Sequence, residues 1–270
     1  MTFCDAHFHL VQCGRLPDMS LIPDCTKYYA CTCAHAPEEF EQQQTMAVQH
    51  DPQTARDDSQ GTQHDSQYEN NTPCRIVQSF GIHPQNPDES FIPFLEELLE
   101  NKRIGAIGEA GFDFFTSEYA SRSTEQENAW HAQILLASQY QIPLIVHCRK
   151  AQEKVFRDAN LLCRIPAVVF HSFMGSPADA LSLLRHRING YFCFGKPLLN
   201  GKKSALSCVA QLPADCILLE TDAPFQMLKG EQTTCPEEII RVYEKVSEIK
   251  KINVASLCDQ IEKNFLSVFN

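Results

Sequence analysis

The chain has 270 residues, 43% of them hydrophobic and 21% charged, with a formal net charge of −11 at neutral pH. These proportions are ordinary for a soluble enzyme, and every apolar run falls well short of the roughly 20 residues needed to cross a membrane. The acidic balance argues against tight, extended nucleic-acid binding, which needs a basic footprint. It leaves room for an enzyme that grips a few phosphates through metal ions.

Eight strands are predicted, at 2–8, 27–34, 75–82, 103–109, 143–148, 166–171, 189–194 and 216–222. Most are β-branched or aromatic runs of ordinary strand length. Helical spacing falls between them. Ser90 to Asn101 carries Phe91, Leu95, Leu98 and Leu99, Glu125 to Tyr140 carries Trp130, Ile134, Leu135 and Ala137, and Pro177 to Arg187 forms a third stretch. Alternating strands and helices point to parallel βα units. Length is compatible with an α/β barrel, which takes about 250 residues. The expected fold is therefore α/β, a (β/α)8 TIM-type barrel; seven strands or a distorted eight remain open. A single domain over residues 1–270 is expected, with one exposed, polar insertion at 49–73 that holds His50 and His64. Two helices close the chain. Pro236 opens the first, whose stripe is Ile239, Tyr243, Val246 and Ile249. Asn253 caps the second, which carries Leu257, Ile261, Phe265 and Phe269.

Thirteen cysteines, an odd number at irregular spacing, argue against a disulfide framework and for reduced thiols inside a cell. Cys31 and Cys33 share a strand face but lack the usual zinc-site spacing. No basic, signal-like segment opens the chain, so a cytoplasmic location is expected.

Chemistry concentrates where apolar runs end in a histidine or an acid. His7 and His9, one residue apart on a strand, put two imidazoles on one face and can chelate one divalent ion. Taken alone, the pair is a weak signal that reads by default as polar structure, and Asp5 beside it adds little. Glu109 ends a small-residue strand; its two oxygens can bridge cations about 3.5–4 Å apart, or it is a buried glutamate satisfied by hydrogen bonds. His147 and His171 each follow an apolar run. Asp222 follows the last strand, which in a barrel lies beside the first and so beside His7 and His9. Glu220 has the same parity and is expected to support these groups from behind. A metal site at the C-terminal ends of the strands follows.

The segments Asp-Ala-His-Phe-His (5–9), Gly-Ile-His-Pro (81–84), Gly-Glu-Ala-Gly-Phe-Asp (108–113), Ile-Val-His-Cys-Arg-Lys-Ala (145–151), His-Ser-Phe-Met-Gly-Ser (171–176) and Glu-Thr-Asp-Ala-Pro-Phe (220–225) resemble, in order, the motifs of the TatD family of metal-dependent deoxyribonucleases. The resemblance runs from residue 3 to Asn264-Phe265-Leu266. It implies an amidohydrolase-like metal hydrolase that cleaves DNA phosphodiester bonds, trimming single-stranded or frayed 3′ ends with two divalent ions (Mg, Mn or Zn). It implies His7, His9, Glu109 and Asp222 around one ion, and Glu109, His147 and His171 around the second. Asp222 and Glu109 are then the catalytic groups, with Asp222 holding or deprotonating the attacking water. His83 looks like a substrate contact. Arg149 either meets a phosphate at the pocket mouth or forms a surface salt bridge, and Asp113 is expected to be loop structure. After Phe225 the chain lacks the family's Arg-Gly and Asn-Glu-Pro segment.

Two rival readings stay open. A compact amide, lactone or phosphoester would suit the same site and the negative charge, and a barrel without activity would serve as a binding module. Neither a membrane nor an obligatory protein partner is expected.

Overall fold

The computed structural model describes residues 1–48 and 74–269. The expected insertion at 49–73, with His50 and His64, lies outside the described residues. Eight parallel strands among them form one sheet in sequence order: β1 (Thr2–Phe8), β2 (Lys27–Ala34), β3 (Cys74–Phe80), β4 (Ala106–Asp113), β5 (Leu144–Arg149), β6 (Val168–Phe170), β7 (Gly190–Phe194) and β8 (Ile217–Leu219). Helices pack outside: α1 (Leu10–Cys13), α2 (Pro37–Val48), α3 (Ile92–Glu100), α4 (Ser117–Ser121), α5 (Ser123–Tyr140), α6 (Gln152–Arg157), α7 (Ala159–Leu162), α8 (Pro177–Arg185), α9 (Lys203–Gln211), α10 (Ile239–Lys250) and α11 (Val254–Val268). The strands are buried almost throughout, because helices cover one face and the opposing strands fill the other. The result is a nearly closed (β/α)8 barrel, as the sequence pattern implies. No helix of the described residues is long and apolar enough to cross a membrane.

β4 differs most from expectation. It starts later and runs four residues past Glu109, to Asp113. Its register against β5 shifts between Ile107 and Ala110, around Gly108 and Glu109. Gly111 (φ +141°) lets β4 approach β5 closely; a Cβ there would lie 2.1 Å from the His147 carbonyl oxygen. Small residues conceal this continuation in a hydropathy reading.

The helix boundaries follow local chemistry. Ser176 and Asp179 form a reciprocal capping box on α8, with Pro177 in the first turn. The Asn253 side chain accepts from Ser256 N at 2.8 Å and caps α11. Pro236 opens a short 3-10 turn, Pro236–Glu238, that leads into α10. On α5 the expected stripe is partly wrong: Leu135 is 63% exposed, whereas Gln126 and Gln133 are buried. Gln133 accepts from Ile82 N (2.8 Å) and donates to Ile82 O (3.1 Å), and Gln126 accepts from Asp113 N (2.9 Å). The inward face of α5 thus runs through 126, 130, 133 and 137, and two of its members tie down strand ends by hydrogen bonds.

β1 and β8 meet without a regular ladder. Asp222 N donates to His7 O at 2.9 Å and His9 N to Ala223 O at 2.8 Å. The Asp5 carboxylate accepts from Thr221 N (2.9 Å) and Thr221 Oγ1 (2.5 Å). Burial pushes the Asp5 carboxyl up to about 7, against the hydrogen bonds from Thr221 and His7. Asp5, expected to add little, is therefore a tie across the seam. Lower down, Tyr243 Oη of α10 accepts from Cys4 N (2.9 Å) and donates to Cys4 O (3.2 Å). Asn264 Nδ2 of α11 donates to Ala214 O and Ile217 O. Tyr243→Phe leaves both buried Cys4 main-chain groups unpaired. Loss of about 1–3 kcal/mol of stability is expected, read as a Tm several degrees lower with the near-ultraviolet dichroism of the folded state retained.

Candidate metal centre

The strand ends open onto a cleft of about 500 Å³. His9, His83, Glu109, His147, Arg149, His171 and Asp222 all line it, and buried His7 lies just beneath, against Glu109. Glu109 is the hub. Its Oε1 lies 2.9 Å from His7 Nε2, 3.8 Å from His9 Nε2 and 3.9 Å from His171 Nε2. Its Oε2 lies 3.4 Å from His83 Nε2 and 3.6 Å from His147 Nδ1. Asp222 Oδ1 lies 3.3 Å from His9 Nε2 and 3.7 Å from His7 Nε2, and its Oδ2 is 3.9 Å from His171 Nε2. All six residues expected as ligands thus meet in one cluster. His147 and His171 approach different oxygens of Glu109.

Strand geometry explains the convergence. His7 and His9 share a face through their one-residue spacing, while Glu109 is turned inward at the β4 irregularity. Ser172 (φ +45°) and Asp222 (φ +54°) adopt left-handed backbone just past β6 and β8. That conformation is sparsely populated by non-glycine residues and turns the chain sharply at the barrel mouth.

The partners behind the imidazoles fix their tautomers. His171 Nδ1 meets Glu220 Oε2 at 2.9 Å, and Glu220 Oε1 also accepts from Ser172 N at 2.8 Å. His147 Nε2 meets Asp113 Oδ2 at 3.2 Å. A carboxylate only accepts, so in each ring the far nitrogen carries a proton, and the near nitrogen is the one that offers a lone pair to a cation once the ring is neutral. His147 Nδ1 is accordingly buried with no hydrogen-bond partner. His7 Nδ1 lies 3.2 Å from Cys33 Sγ, which also receives the Ser79 hydroxyl at 2.9 Å. Burial pushes the Cys33 thiol well above its ordinary range and keeps it protonated. His83 is oriented the other way: its Nδ1 accepts from Gln85 N at 3.2 Å, so Nε2 carries the proton toward the cleft.

Protons and cations compete for these groups. Burial would raise the Glu109 carboxyl, but His7, His171 and His147 outweigh it and hold it well below the usual range. Asp222 is likewise driven up by burial yet held down at about 2 by His171, His9 and His7. Burial opposes charge on His171, but Glu220, Asp222 and Glu109 lift it to about 10. Imidazole nitrogens and carboxylate oxygens packed this closely fit a divalent cation, and sets such as His7–His9–Asp222 and His7–Glu109–His171 have their donor atoms within 4.8 Å of one another.

A sequence model of the TatD related DNase family matches residues 4–270. The chain belongs to that family. It is 30% identical over 211 residues to an uncharacterized metal-dependent hydrolase of Mycoplasma pneumoniae, covering 73% of this chain and 79% of that one. It is 29% identical over 203 residues to the 3′-5′ ssDNA/RNA exonuclease TatD of Pantoea ananatis, covering 70% and 76%. The fold is that of YJJV, a TatD homolog from Escherichia coli K12 (TM-score 0.77, 22% identity, 99% and 98% covered). A lactonase of Listeria monocytogenes is more distantly similar (TM-score 0.53, 10% identity, 99% and 94% covered). This TatD-family chain is a metal-dependent hydrolase.

Several residues differ from their sequence reading. Asp113, expected as loop, ends β4 fully buried and binds His147, Gln85 Nε2 (2.8 Å) and Phe115 N (2.8 Å). Four residues beyond Glu109, it has the parity that a longer strand requires. Arg149 both lines the cleft and pairs with Asp113 Oδ2 at 3.3 Å, its guanidinium 4.0 Å above the Phe115 ring. Gln226, in the segment that departs from the family pattern, donates to Asp222 Oδ2 and Ser172 Oγ, each at 2.9 Å. Cys33, legible in the sequence only as half of the Cys31–Cys33 pair, contacts His7. Asp113→Ala frees the His147 ring behind its lone pair. A loss of roughly 10–100-fold in divalent-metal affinity is expected, measured by chelator competition on protein whose melting curve is still cooperative.

Proposed function

We propose that the chain is a two-ion deoxyribonuclease that shortens single-stranded or frayed DNA from the 3′ end. The observation that carries the two-ion reading is Glu109, whose two oxygens face different sets of imidazoles. On the family pattern the ligands would be His7, His9, Glu109 and Asp222 for one ion, and Glu109, His147 and His171 for the other, with Mg, Mn or Zn as candidates; His171 Nε2 lies on the Oε1 side with His7 and His9, so this assignment requires it to turn toward the Oε2 side. When bound, divalent ions here lower the pKa of a water toward neutrality and neutralise phosphoryl charge.

The chain's own groups do the rest. Asp222 Oδ2 is held by Gln226, which leaves Oδ1 to orient the attacking water and take its proton. His83 Nε2–H donates to a non-bridging phosphate oxygen, and Arg149 meets a phosphate at the mouth. Phe225, 46% exposed, lies against His9 with ring centroids 4.9 Å apart and offers a face on which an unpaired base stacks. Phe115, 52% exposed, offers a second beneath Arg149. No covalent protein intermediate is needed. A single domain over 1–270 would suffice. Thirteen cysteines with no disulfide described among them suit a reducing compartment such as the cytoplasm.

A compact ester or lactone substrate is the rival, favoured by one observation: Arg149 is the lone lysine or arginine among the described residues lining the cleft. A 5′-labelled oligonucleotide, assayed with Mg²⁺ and Mn²⁺ beside a panel of lactones, amides and small phosphodiesters, separates the two. A ladder of products shortened from the 3′ end is expected; turnover of a lactone with an intact oligonucleotide would overturn the nuclease reading. Glu109→Ala should lower metal-stimulated cleavage roughly a hundredfold or more, since the ions supply several kcal/mol. Phe225→Ala should raise KM for an oligonucleotide by roughly fivefold or more, from about 1–3 kcal/mol of lost stacking. It should leave KM for a small phosphodiester unchanged.

A further inference from the structure

One imidazole in the cleft has no role in the two-ion reading. His35 follows β2 directly and lines the cleft beside His9 and His83, with ring centroids 5.7 and 4.9 Å away. Its main-chain N–H donates to Glu39 Oε2 at 2.7 Å. Its Nδ1 lies 3.4 Å from the Gly81 carbonyl oxygen, and Gly81 N in turn donates to Ala34 O at 3.2 Å. Glu39 of α2 thus anchors the His35 main chain, and Gly81, just past β3, meets its ring. Gly81 passes so close to β4 that a Cβ would sit 2.5 Å from the Gly108 carbonyl carbon.

A carbonyl oxygen only accepts, so His35 Nδ1 carries the proton and Nε2 keeps its lone pair. That Nε2 is buried and has no hydrogen-bond partner. Among the described residues one other imidazole nitrogen shares this condition, Nδ1 of His147. Both rings donate backward to an oxygen and present a bare lone pair forward, the arrangement of a metal-ligating histidine. A lone pair cannot donate to a phosphate, so His35 cannot duplicate His83, whose Nε2 carries the proton. Donor atoms of His9, His35 and Glu109 lie within 4.8 Å of one another.

We propose that His35 is a further metal ligand, donating through Nε2 to the ion on the His9 side of Glu109. The inference rests on the metal-centre reading and is independent of the substrate. Its consequence is metal choice: an added imidazole favours transition metals such as Zn, Co or Mn, while Mg prefers oxygen ligands and water.

The test is titration of metal-free protein with Co²⁺, followed by its visible absorption, with Mg²⁺ affinity measured in parallel by competition. Wild type, His35→Ala, His35→Gln and His83→Gln are compared, and apo melting curves check the fold. The glutamine at 35 can still donate to Gly81, so it removes the ring lone pair and keeps the hydrogen bond. Both His35 variants should lose roughly tenfold or more in affinity for one Co²⁺ and shift its absorption band, with a smaller change for Mg²⁺. His83→Gln should keep the wild-type band. Wild-type affinity and band in both His35 variants would overturn the inference and leave the metal centre standing, as would the same band shift in His83→Gln. A wild-type protein that binds no Co²⁺ would instead overturn the metal centre, and this inference with it.

Discussion

Five carboxylates are buried near the mouth of this barrel: Asp5, Glu109, Asp113, Glu220 and Asp222. A buried anion is costly unless it is paired and hydrogen-bonded, and the arrangement of the mouth follows from that need. Glu109 lies within 4 Å of five imidazoles, those of His7, His9, His83, His147 and His171. Protonated histidine can balance part of the charge, which is why His171 is held up to about 10 despite its burial. Divalent cations balance it more completely. The same imidazoles then serve as neutral ligands once their protons leave. Proton and metal compete for one cluster, and the fold supplies the negative charge that attracts both.

The carboxylates divide by what they touch. Glu109 and Asp222 face the cleft. Asp113 and Glu220 lie behind His147 and His171, each accepting from the ring nitrogen farther from the centre. Asp5 does neither; it ties β1 to Thr221 just past β8. That tie matters for the chemistry because Asp222 is hydrogen-bonded through its main chain to His7. Closing the barrel and bringing Asp222 to the His7–His9 pair are one structural event, so a weakened seam would loosen the ligand set before it unfolded the chain.

The parts of this plan that a sequence reveals are those encoded by local runs. Parallel strands buried on both faces read as continuous apolar segments. A histidine or acid directly after such a segment marks a strand end, as at His147 and His171. What stays hidden depends on tertiary hydrogen bonding. The continuation of β4 to Asp113 passes through Ala110 and Gly111, which carry little hydropathy signal. The glutamines of α5 occupy core positions because Ile82 and Asp113 offer main-chain partners, and polarity alone argues for the surface. Gln226 lies where resemblance to relatives stops, yet its amide touches Asp222. His35 follows the legible pattern, an apolar strand running into a histidine, but it lies outside the segments that resemble the family motifs.

Residue type alone therefore does not sort the histidines of this cleft; the far nitrogen does. Where that nitrogen meets an oxygen acceptor, as in His147, His171 and His35, the near nitrogen is the one whose lone pair a cation takes when the ring is neutral. Where it meets a main-chain N–H, as in His83, the near nitrogen carries a proton and suits an anion. The contrast between His35 and His83, neighbours in one cleft, arises from Gly81 and Gln85: one presents a carbonyl oxygen, the other an amide hydrogen. Both lie in the segment that follows β3, so one loop assigns opposite chemistry to two adjacent rings. Substituting a ligand removes a donor. Redirecting one of these main-chain contacts would convert a ring from one role to the other with its side chain unchanged.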